Sequence, residues 1–588
     1  MGLLDQYLRP QQGWVGALAL LLLSGIGLRL IGPQIARRFI DAALAAAEHS
    51  FLMRMGGLFL LVALAQQATS VAAAYLGEKV AWSATNTLRC DLAAHCLRLD
   101  MSYHTAHTPG EMIERVDGDV AALANFFSQF VIQIAGNVLL VIGMLIVLFA
   151  EDLRAGLALS LLAVVALAVL IRLRGIAIPH FRGERQASAE VMSFLEERLS
   201  GIEDIRACGA VEYVLQRFLA LLHGWMRASL VAGQMTNLMV NAMSTLIAVG
   251  QAVAFVVGAI LYQQGVFTIG AVYMLLAYAY LIMAPIQRIT QEIQDLQRAG
   301  AAIDRVRELL GTESRIRDGS YVEPHACLPS GALAVELRGV TFTYEPWSSP
   351  ESPGIPVLRD VSFSLPAGRT LGLLGRTGSG KTTLSRLLFR LYDPQAGAVL
   401  LGEERAMRDV RQITLGELRA RVGMVTQNVE LFDGTVRDNL TFWDSTISTA
   451  RIEAVLRELG LSDWLDALPQ GLESPVSAGG ASLSAGQAQL LAMARVFLQD
   501  PGLVIMDEAS SRLDPATEEL VQQATNRLLA GRSGIIIAHR LATMESVDHI
   551  LILDEGRVVE QGPRAALAAD PTSRLSALLY IGLEEVLA

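Results

Sequence analysis

The stretch Arg369-Thr-Leu-Gly-Leu-Leu-Gly-Arg-Thr-Gly-Ser-Gly-Lys-Thr-Thr-Leu384 decides the fold of the C-terminal half of the chain. It joins an apolar strand to the start of a helix through a loop of the form G-x-x-x-x-G-K-T. Glycines in this arrangement let backbone N–H groups surround phosphate oxygens at the helix N-terminus. Lys381 is placed to reach the β- and γ-phosphates, and the Thr382 hydroxyl can ligate Mg²⁺. The stretch therefore predicts an α/β nucleotide-binding domain.

A second apolar strand in the same region ends in two carboxylates, in Leu503-Val-Ile-Met-Asp-Glu508. An aspartate at the end of such a strand is the residue type that holds Mg²⁺, and we assign that role to Asp507. The glutamate that follows, Glu508, is placed to polarise an attacking water molecule. Behind an intact phosphate loop, this acidic pair predicts a hydrolytic nucleotide site.

The residues before about position 285 predict membrane helices. Hydrophobic residues make up 52% of the chain and charged residues only 18%, whereas about a quarter of a soluble globular chain is charged. A bilayer core of about 30 Å needs roughly 20 apolar residues in a helix. Six segments approximately meet this requirement: 13–34, 55–77, 126–150, 153–174, 235–262 and 266–285. Long, polar, helix-compatible connections follow the second and fourth segments and predict stalks beyond the membrane.

The distribution of charge predicts the orientation of these segments. Basic residues concentrate in the two long connections, which places the stalks, both termini and the second domain in the cytoplasm. Residues 1–10 predict a short helix on the cytoplasmic membrane face, and no cleavable signal peptide is expected. The net charge of −11 argues against nucleic acid as a partner. None of the four cysteines forms a C-x-x-C pair, so they are interpreted as reduced thiols.

Two further features of the membrane half suggest functional surfaces. Each stalk contains a helix breaker, and the regions 102–108 and 207–213 are either contact points for the cytoplasmic domain or ordinary loop tips. Polar or small residues recur on one stripe of the fifth segment, which lines a wet cavity or forms hydrogen bonds between helices. That stripe consists of Gln234, Asn237, Asn241, Ser244, Ala248 and Gln251.

Together these features resemble an ATP-binding cassette (ABC) transporter of the exporter fold (type IV), over nearly the whole chain. The loop from Gly375 to Thr383 matches the Walker A motif, and Asp507 with Glu508 matches Walker B and its catalytic base. Leu483-Ser-Ala-Gly-Gln487 matches the signature sequence found only in this class of ATPase. Segments of the membrane half, such as Gly201-Ile-Glu-Asp-Ile-Arg-Ala207, are similar to those of these exporters.

The resemblance implies a role for each residue of the nucleotide site. Tyr344 would stack on adenine, Gln427 would sense Mg²⁺ and face the membrane domain, and His539 would contact the γ-phosphate. The implied catalytic residues are Glu508, His539 and Gln427, and the implied Mg²⁺ ligands are Thr382, Gln427 and Asp507. The residues expected to bind ATP are Tyr344, Gly375, Arg376, Thr377, Gly378, Ser379, Gly380, Lys381, Thr382, Thr383, Ser484, Gly486, Gln487 and Asp514, the last in the D-loop.

The resemblance also implies a dimer, because in this family the signature of one cassette closes the ATP site of the other. Three residues depart from the family pattern. Ala485 stands where glycine is usual, Ala478 where a glutamate contacts the opposite stalk, and Arg512 where alanine is common in the D-loop. Since the Walker side is complete, these departures favour a heterodimer with a second half-transporter chain, while a homodimer stays open.

The sequence therefore predicts a multi-domain protein. An all-α six-helix transmembrane domain occupies residues 1–310, a linker 311–333, and an α/β P-loop cassette with an α-helical signature subdomain 334–588. We expect ATP-driven transport across the cytoplasmic (inner) membrane by alternating access, with export of an amphipathic small molecule, lipid or peptide favoured. An importer on the same fold, of the siderophore type, and an ATP-gated channel or regulator remain open. The six spans argue against a soluble ATPase of DNA repair or translation, and no protease domain of a peptide-processing exporter is expected.

Overall fold

A computed structural model describes residues 6–126, 134–318, 327–344, 354–427, 429–477, 483–507, 515–537 and 544–581, without the side chains of 290–297, 515–516 and 581. The chain divides into two compact units. The first comprises Met1–Leu97 and Gly110–Thr312, and the second comprises Arg98–Pro109 and Glu313–Ala588.

The N-terminal part of the chain is helical throughout its described residues. A 3₁₀ turn (Arg9–Gln11) precedes the first long helix, and a π-helical stretch (Glu114–Gly118) follows α4. The α-helices are α1 (Gln12–Leu44), α2 (His49–Arg98), α3 (Met101–Ala106), α4 (Pro109–Ile113), α5 (Asp119–Asn125), α6 (Gly136–Glu151), α7 (Leu153–Ser200), α8 (Ile202–Ala207), α9 (Val211–Gln263) and α10 (Ile269–Gly311).

Five of the described helices contain stretches long and apolar enough to cross a membrane: Gln6–Leu44, His49–Arg98, Leu153–Ser200, Val211–Gln263 and Ile269–Ile289. The sixth, α6, is apolar but has only 16 residues, and part of its predicted span, 126–150, lies outside the described residues. The 53 residues of α9 correspond to about 80 Å of helix, far more than a bilayer core requires. The polar stalks are therefore continuous with the membrane helices.

The core of the membrane unit lies among α6, α7, α9 and α10, where Met144, Leu159 and Met283 are fully buried. Tyr278 of α10 is also fully buried and donates a hydrogen bond to the Leu30 carbonyl of α1 at 2.7 Å. This tyrosine therefore packs α10 against α1.

The second unit is an α/β domain. Its strands are β1 (Ala334–Phe342), β2 (Leu358–Leu365), β3 (Thr370–Leu374), β4 (Ala396–Glu403), β5 (Ala406–Asp409), β6 (Val422–Val425), β7 (Gly434–Thr435), β8 (Pro475–Val476), β9 (Leu503–Asp507), β10 (Ser533–Ile537), β11 (His549–Asp554) and β12 (Arg557–Pro563). Its α-helices are α11 (Lys381–Leu388), α12 (Leu415–Arg421), α13 (Val436–Thr441), α14 (Thr449–Glu458), α15 (Ser462–Ala467), α16 (Ala485–Gln499), α17 (Pro515–Leu529), α18 (Arg564–Ala569) and α19 (Arg574–Ile581), with 3₁₀ turns at Val410–Gln412 and Gly471–Glu473.

Two sheets form the platform of this unit. A six-stranded sheet has the order β12-β11-β3-β10-β9-β6, and a four-stranded antiparallel sheet has the order β2-β1-β4-β5. Strands β6, β9, β10, β3 and β11 run parallel, so their carboxyl ends lie along one edge. A separate apolar cluster holds α13, α14 and α16 together, as expected for a helical subdomain. The prediction of an all-α membrane domain followed by an α/β domain is confirmed.

Each stalk is interrupted by a short helix. The carboxylate of Asp100 caps α3 and accepts from Ser102 N at 2.9 Å, while Gly209, after α8, has φ of +62°. Residues Arg98–Pro109, which include α3, group with the second unit. Within that unit, Asp100 also accepts a hydrogen bond from the Ser314 hydroxyl at 3.2 Å.

Candidate functional site

The phosphate-type loop leaves the carboxyl end of β3 and enters α11 at Lys381. The Lys381 ammonium turns back onto the loop, donating to the carbonyl of Gly375 at 2.5 Å and to that of Arg376 at 3.0 Å. The lysine thus folds back onto the loop that leads into the N-terminus of α11. Such a helix terminus favours bound anions.

The loop fits a polyphosphate for two structural reasons. Gly375 has φ of +151°, and a Cβ there would lie 2.3 Å from the Leu553 carbonyl oxygen, so a larger residue would displace the loop. The Ser379 hydroxyl is buried, and it has no hydrogen-bond partner within the described part of the chain. A buried hydroxyl without a hydrogen bond destabilises the fold, and a phosphate oxygen could accept a hydrogen bond from it.

Strand register brings the predicted metal ligands to the same edge of the sheet. Asp507 ends β9 and pairs with Ile537 of β10, which pairs in turn with Leu373 of β3. Gln427 follows β6, whose Val425 pairs with Met506, so Gln427 emerges beside Asp507. Asp507 is buried and Gln427 is exposed. The arrangement can hold a divalent cation against a phosphate with oxygen ligands.

The electrostatics of the loop depend mainly on burial. Desolvation lowers the pKa of Lys381, and the nearby Asp507 carboxylate opposes that shift. The lysine is 7% exposed, so its charge is screened little by water. A phosphate group in the loop would compensate the Lys381 ammonium for the hydration that it loses on burial.

Tyr344 lies beside the nucleotide loop at the end of β1. Its hydroxyl is 3.1 Å from the Thr383 hydroxyl and accepts a hydrogen bond from Arg386 at 3.2 Å. Its ring packs edge-on against Phe342 and Tyr392, with centroids 4.8 and 5.2 Å away. These contacts hold the half-buried ring next to α11, where a base attached to the bound phosphates could reach it.

The signature segment begins α16. Ser484 is the N-cap: its hydroxyl accepts from Gln487 N at 3.2 Å, and its own N–H donates to the Gln487 side chain at 2.9 Å. This reciprocal capping box was not anticipated, although the spacing Ser-x-x-Gln is its sequence signal. Ser484 and Ala485 are exposed, whereas Gly486 is buried. The cap and the first residue of α16 therefore face solvent in this chain.

Several predicted site residues cannot be placed. Glu508, Asp514 and His539 lie outside the described residues, as do Ala478 and Arg512, on which the pairing argument partly depends. Their roles stay predictions. The remaining predicted residues, from Tyr344 through Asp507, are described, and the loop residues Gly375 to Thr383 lie together with Tyr344 and Asp507.

The polar stripe of α9 faces away from its own unit. All six of its residues are exposed, whereas Met243, Gly250 and Ala254 on the opposite side of the helix are buried. The Ser244 hydroxyl donates to the carbonyl of Val240 in the same helix at 3.1 Å. No hydrogen bond joins the stripe to another helix among the residues described here, so hydrogen bonding within the chain does not explain it.

Comparison with protein families gives two matches. The model of the ABC transporter transmembrane region matches residues 15–286, and the ABC transporter model matches residues 358–511. An ATP-dependent lipid A-core flippase of Vibrio cholerae is 30% identical over 542 residues, covering 90% of this chain and 89% of the relative. A fatty acid ABC transporter ATP-binding/permease protein of Mycobacterium bovis is 31% identical over 485 residues, or 82% and 74% of the two chains.

Other relatives are longer than this chain. A multidrug efflux ATP-binding/permease protein of Mycobacterium bovis is 33% identical over 509 residues, which is 86% of this chain but 41% of the relative. The chain thus spans less than half the length of that protein. Among solved structures, a bacterial Atm1-family ABC exporter with ATP bound matches with a TM-score of 0.78 and 23% identity, over 98% of each chain. This likeness establishes the shared fold.

Proposed function

The chain belongs to the ABC transporter family, and from this premise we propose that it hydrolyses ATP to export an amphipathic molecule across the cytoplasmic membrane. One observation carries the proposal: a membrane-type helical unit and a complete phosphate loop with Lys381 and Asp507 occur in one chain. The likeness to an exporter fold and the efflux and flippase names of relatives support the direction.

Each described site residue has a task in this proposal. Lys381 and the loop N–H groups bind the β- and γ-phosphates, and Ser379 donates its orphaned hydroxyl to them. Thr382, Asp507 and Gln427 are the residues that would hold Mg²⁺, and the bound ion would supply positive charge beside the phosphates. Tyr344 orients the base. Glu508 activates water and His539 contacts the γ-phosphate, as the family resemblance implies.

We propose that the chain works as a dimer, with a heterodimer favoured. The exposed start of α16 supports a partner, because Ser484 and Ala485 face solvent in this chain at a helix N-terminus, which favours anions. The alanine at 485 supports unequal sites, since its side chain stands at the surface where the opposite nucleotide would lie.

We further propose that α3 and α8 convey cassette movements to the membrane helices. For α3 the support is direct contact with the cassette residues Ser314 and Tyr392. For α8 it is the exposure of nearby apolar side chains, since Ile202, Val211 and Tyr213 are 42%, 44% and 72% exposed. Apolar surface at the tip of a stalk indicates a binding partner. Both tips, the termini and the cassette would then be cytoplasmic.

The proposed function is tested with the full chain in nanodiscs, purified alone and together with a half-transporter encoded beside it. We expect Mg²⁺-dependent ATP hydrolysis, and a decrease of about 100-fold or more for Glu508→Gln with ATP binding retained. Hydrolysis that is unchanged in Glu508→Gln would contradict the catalytic assignment. A stable, fully active dimer of the chain alone would contradict the heterodimer.

A further inference from the structure

The membrane unit contains a cavity of about 390 Å³ between α1, α2, α6 and α10. A second cavity of about 170 Å³ shares five lining residues with the first, so the two are contiguous: Arg29, Gln66, Asn137, Leu140 and Arg288. The combined space falls within the range of small-molecule sites. It was not anticipated from the sequence, which pointed to the polar stripe of α9.

The cavity is positively charged. Arg29 of α1 and Arg288 of α10 line both parts, and no carboxylate lines either part among the described residues. The other lining groups are uncharged: they are amides, hydroxyls such as Thr69, or apolar side chains such as Phe59 and Leu281. An apolar chamber with two guanidinium groups is suited to a molecule that carries both hydrocarbon and negative charge.

Arg29 has no acidic partner among the residues that the structure describes. It lies inside an apolar helix of membrane-spanning length, yet no hydrogen bond or ion pair engages its guanidinium anywhere in the described chain. A charged side chain within a membrane helix is costly, and such residues usually face a cavity and find a partner. Arg288 adds a second positive charge to the same space.

Two acidic residues near the ends of α1 and α6 already have partners. Glu151 pairs with Arg37 at 2.6 Å and accepts from Gln34 at 3.3 Å. Asp41 accepts from the Thr268 hydroxyl at 2.8 Å and from Gly270 N at 2.9 Å. Neither carboxylate lines the cavity. Among the described residues, Arg29 is therefore left without a carboxylate partner, and a bound molecule could supply one.

We propose that this molecule is the cargo, and that the cargo is an amphipathic anion. Its carboxylate or phosphate group would pair with Arg29 and Arg288, because a guanidinium binds either group through two parallel hydrogen bonds. Its hydrocarbon part would lie against the apolar lining around Phe59, Val62 and Leu281. This inference rests on the proposed transport function and narrows its substrate class.

The test uses the full chain, with its partner subunit where one co-purifies, in nanodiscs of neutral lipid. Binding of radiolabelled oleate, oleyl phosphate, oleyl alcohol and oleylamine is compared. We expect the two anions to bind at least tenfold more tightly than the alcohol and the amine, and their ranking to show which headgroup is preferred. Arg29→Gln should weaken anion binding about tenfold, the loss of one charged contact of about 1.4 kcal/mol, and Arg29→Lys should weaken it less.

A matched control is available on the same helix. Arg38 is exposed and does not line either cavity, so Arg38→Gln removes one positive charge from α1 without touching the site. Its anion binding should equal that of the unaltered protein. Equal binding of oleate and oleyl alcohol, or equal losses in Arg29→Gln and Arg38→Gln, would overturn the proposal. So would an Arg29→Gln variant that binds oleate normally but dissociates from its partner subunit.

Failure of this inference can be distinguished from failure of the proposed function. ATP binding by each variant, measured at the cassette, establishes that the variant is folded. ATP-driven transport of amphiphiles regardless of charge would leave the proposed function intact and overturn the anionic cargo. Arg29-dependent oleate binding without any ATP-driven movement of oleate would support the site and contradict the transport function.

Discussion

The Tyr392 hydroxyl donates a hydrogen bond to the Thr105 hydroxyl over 3.3 Å, because Thr105 already donates its single proton to the Met101 carbonyl at 2.7 Å. The ring of Tyr392 meets that of Tyr344 edge-on, with 5.2 Å between centroids. Tyr344 then reaches Thr383 of the nucleotide loop. A continuous series of contacts thus joins α3 to the loop.

This series predicts a coupling defect in Tyr392→Phe. The substitution keeps the buried ring and removes one hydrogen bond, with a cost of about 1 kcal/mol. We expect ATP affinity within about twofold of the unaltered protein and a larger decrease in ATP-driven transport, measured in the same vesicles. Thr105→Val should have the same effect, and the double variant should be no worse than either single one. Additive losses would show that the two hydroxyls act separately.

Lys381 predicts a pH dependence of ATP binding. Only the ammonium form attracts phosphate, and burial lowers the pKa of this lysine. ATP affinity without Mg²⁺ should therefore fall as pH rises, and the decline should begin at lower pH than for a lysine in water. Asp507→Asn removes the charge that opposes the shift and should move the decline to still lower pH. Lys381→Met should bind ATP weakly with no such decline, and a parallel decline in that variant would contradict the assignment.

Much of the cassette site could be predicted from the sequence because its determinants are local. A glycine-rich loop between an apolar strand and a helix requires particular residues at fixed spacing, as in Gly375 to Thr382. Parallel strands then bring Asp507 and Gln427 to the same edge, whatever the length of chain between them. The capping box of Ser484 is equally local, because its signal is the spacing Ser-x-x-Gln.

The membrane cavity could not be predicted in the same way. Arg29 is a single charge in an apolar segment, and the site around it combines side chains of four helices, from Arg29 in α1 to Arg288 in α10. Hydropathy also identifies only the apolar part of a helix. It predicted 235–262 for α9, whereas the helix runs over Val211–Gln263, because polar residues with good helix propensity continue it beyond the bilayer.

The capping box predicts different effects for two substitutions at Ser484. Ser484→Ala removes the acceptor for Gln487 N, and we expect the start of α16 to lose about 1 kcal/mol of stability. Ser484→Asp keeps the cap but places a negative charge where the partner's nucleotide phosphates would lie. Hydrogen exchange at the start of α16 should therefore increase only in Ser484→Ala, while ATP hydrolysis should fall in both. Equal exchange in the two variants would contradict the capping role.

Gly270 of α10 lies so close to α1 that an alanine there should lower the stability of the membrane unit. At this position α10 begins against α1, and a Cβ would lie 2.4 Å from the Arg37 carbonyl oxygen and 2.6 Å from an Asp41 carboxylate oxygen. Gly270→Ala should therefore separate the two helices and break the hydrogen bonds that Asp41 accepts from Gly270 N and Thr268. We expect a loss of about 1–3 kcal/mol, seen as a lower midpoint of thermal unfolding in detergent.

Gly300, in the same helix, is the matched control because no described atom lies within 4 Å of a Cβ built there. Gly300→Ala adds a better helix former in open space. It should leave the free energy of unfolding unchanged or raise it by up to about 1 kcal/mol, so the midpoint should stay equal or increase. Both substitutions add the same methyl group to α10, so a difference between them measures the close approach of α1. If the two midpoints agreed, the contact between Gly270 and the Arg37 carbonyl would not contribute to stability.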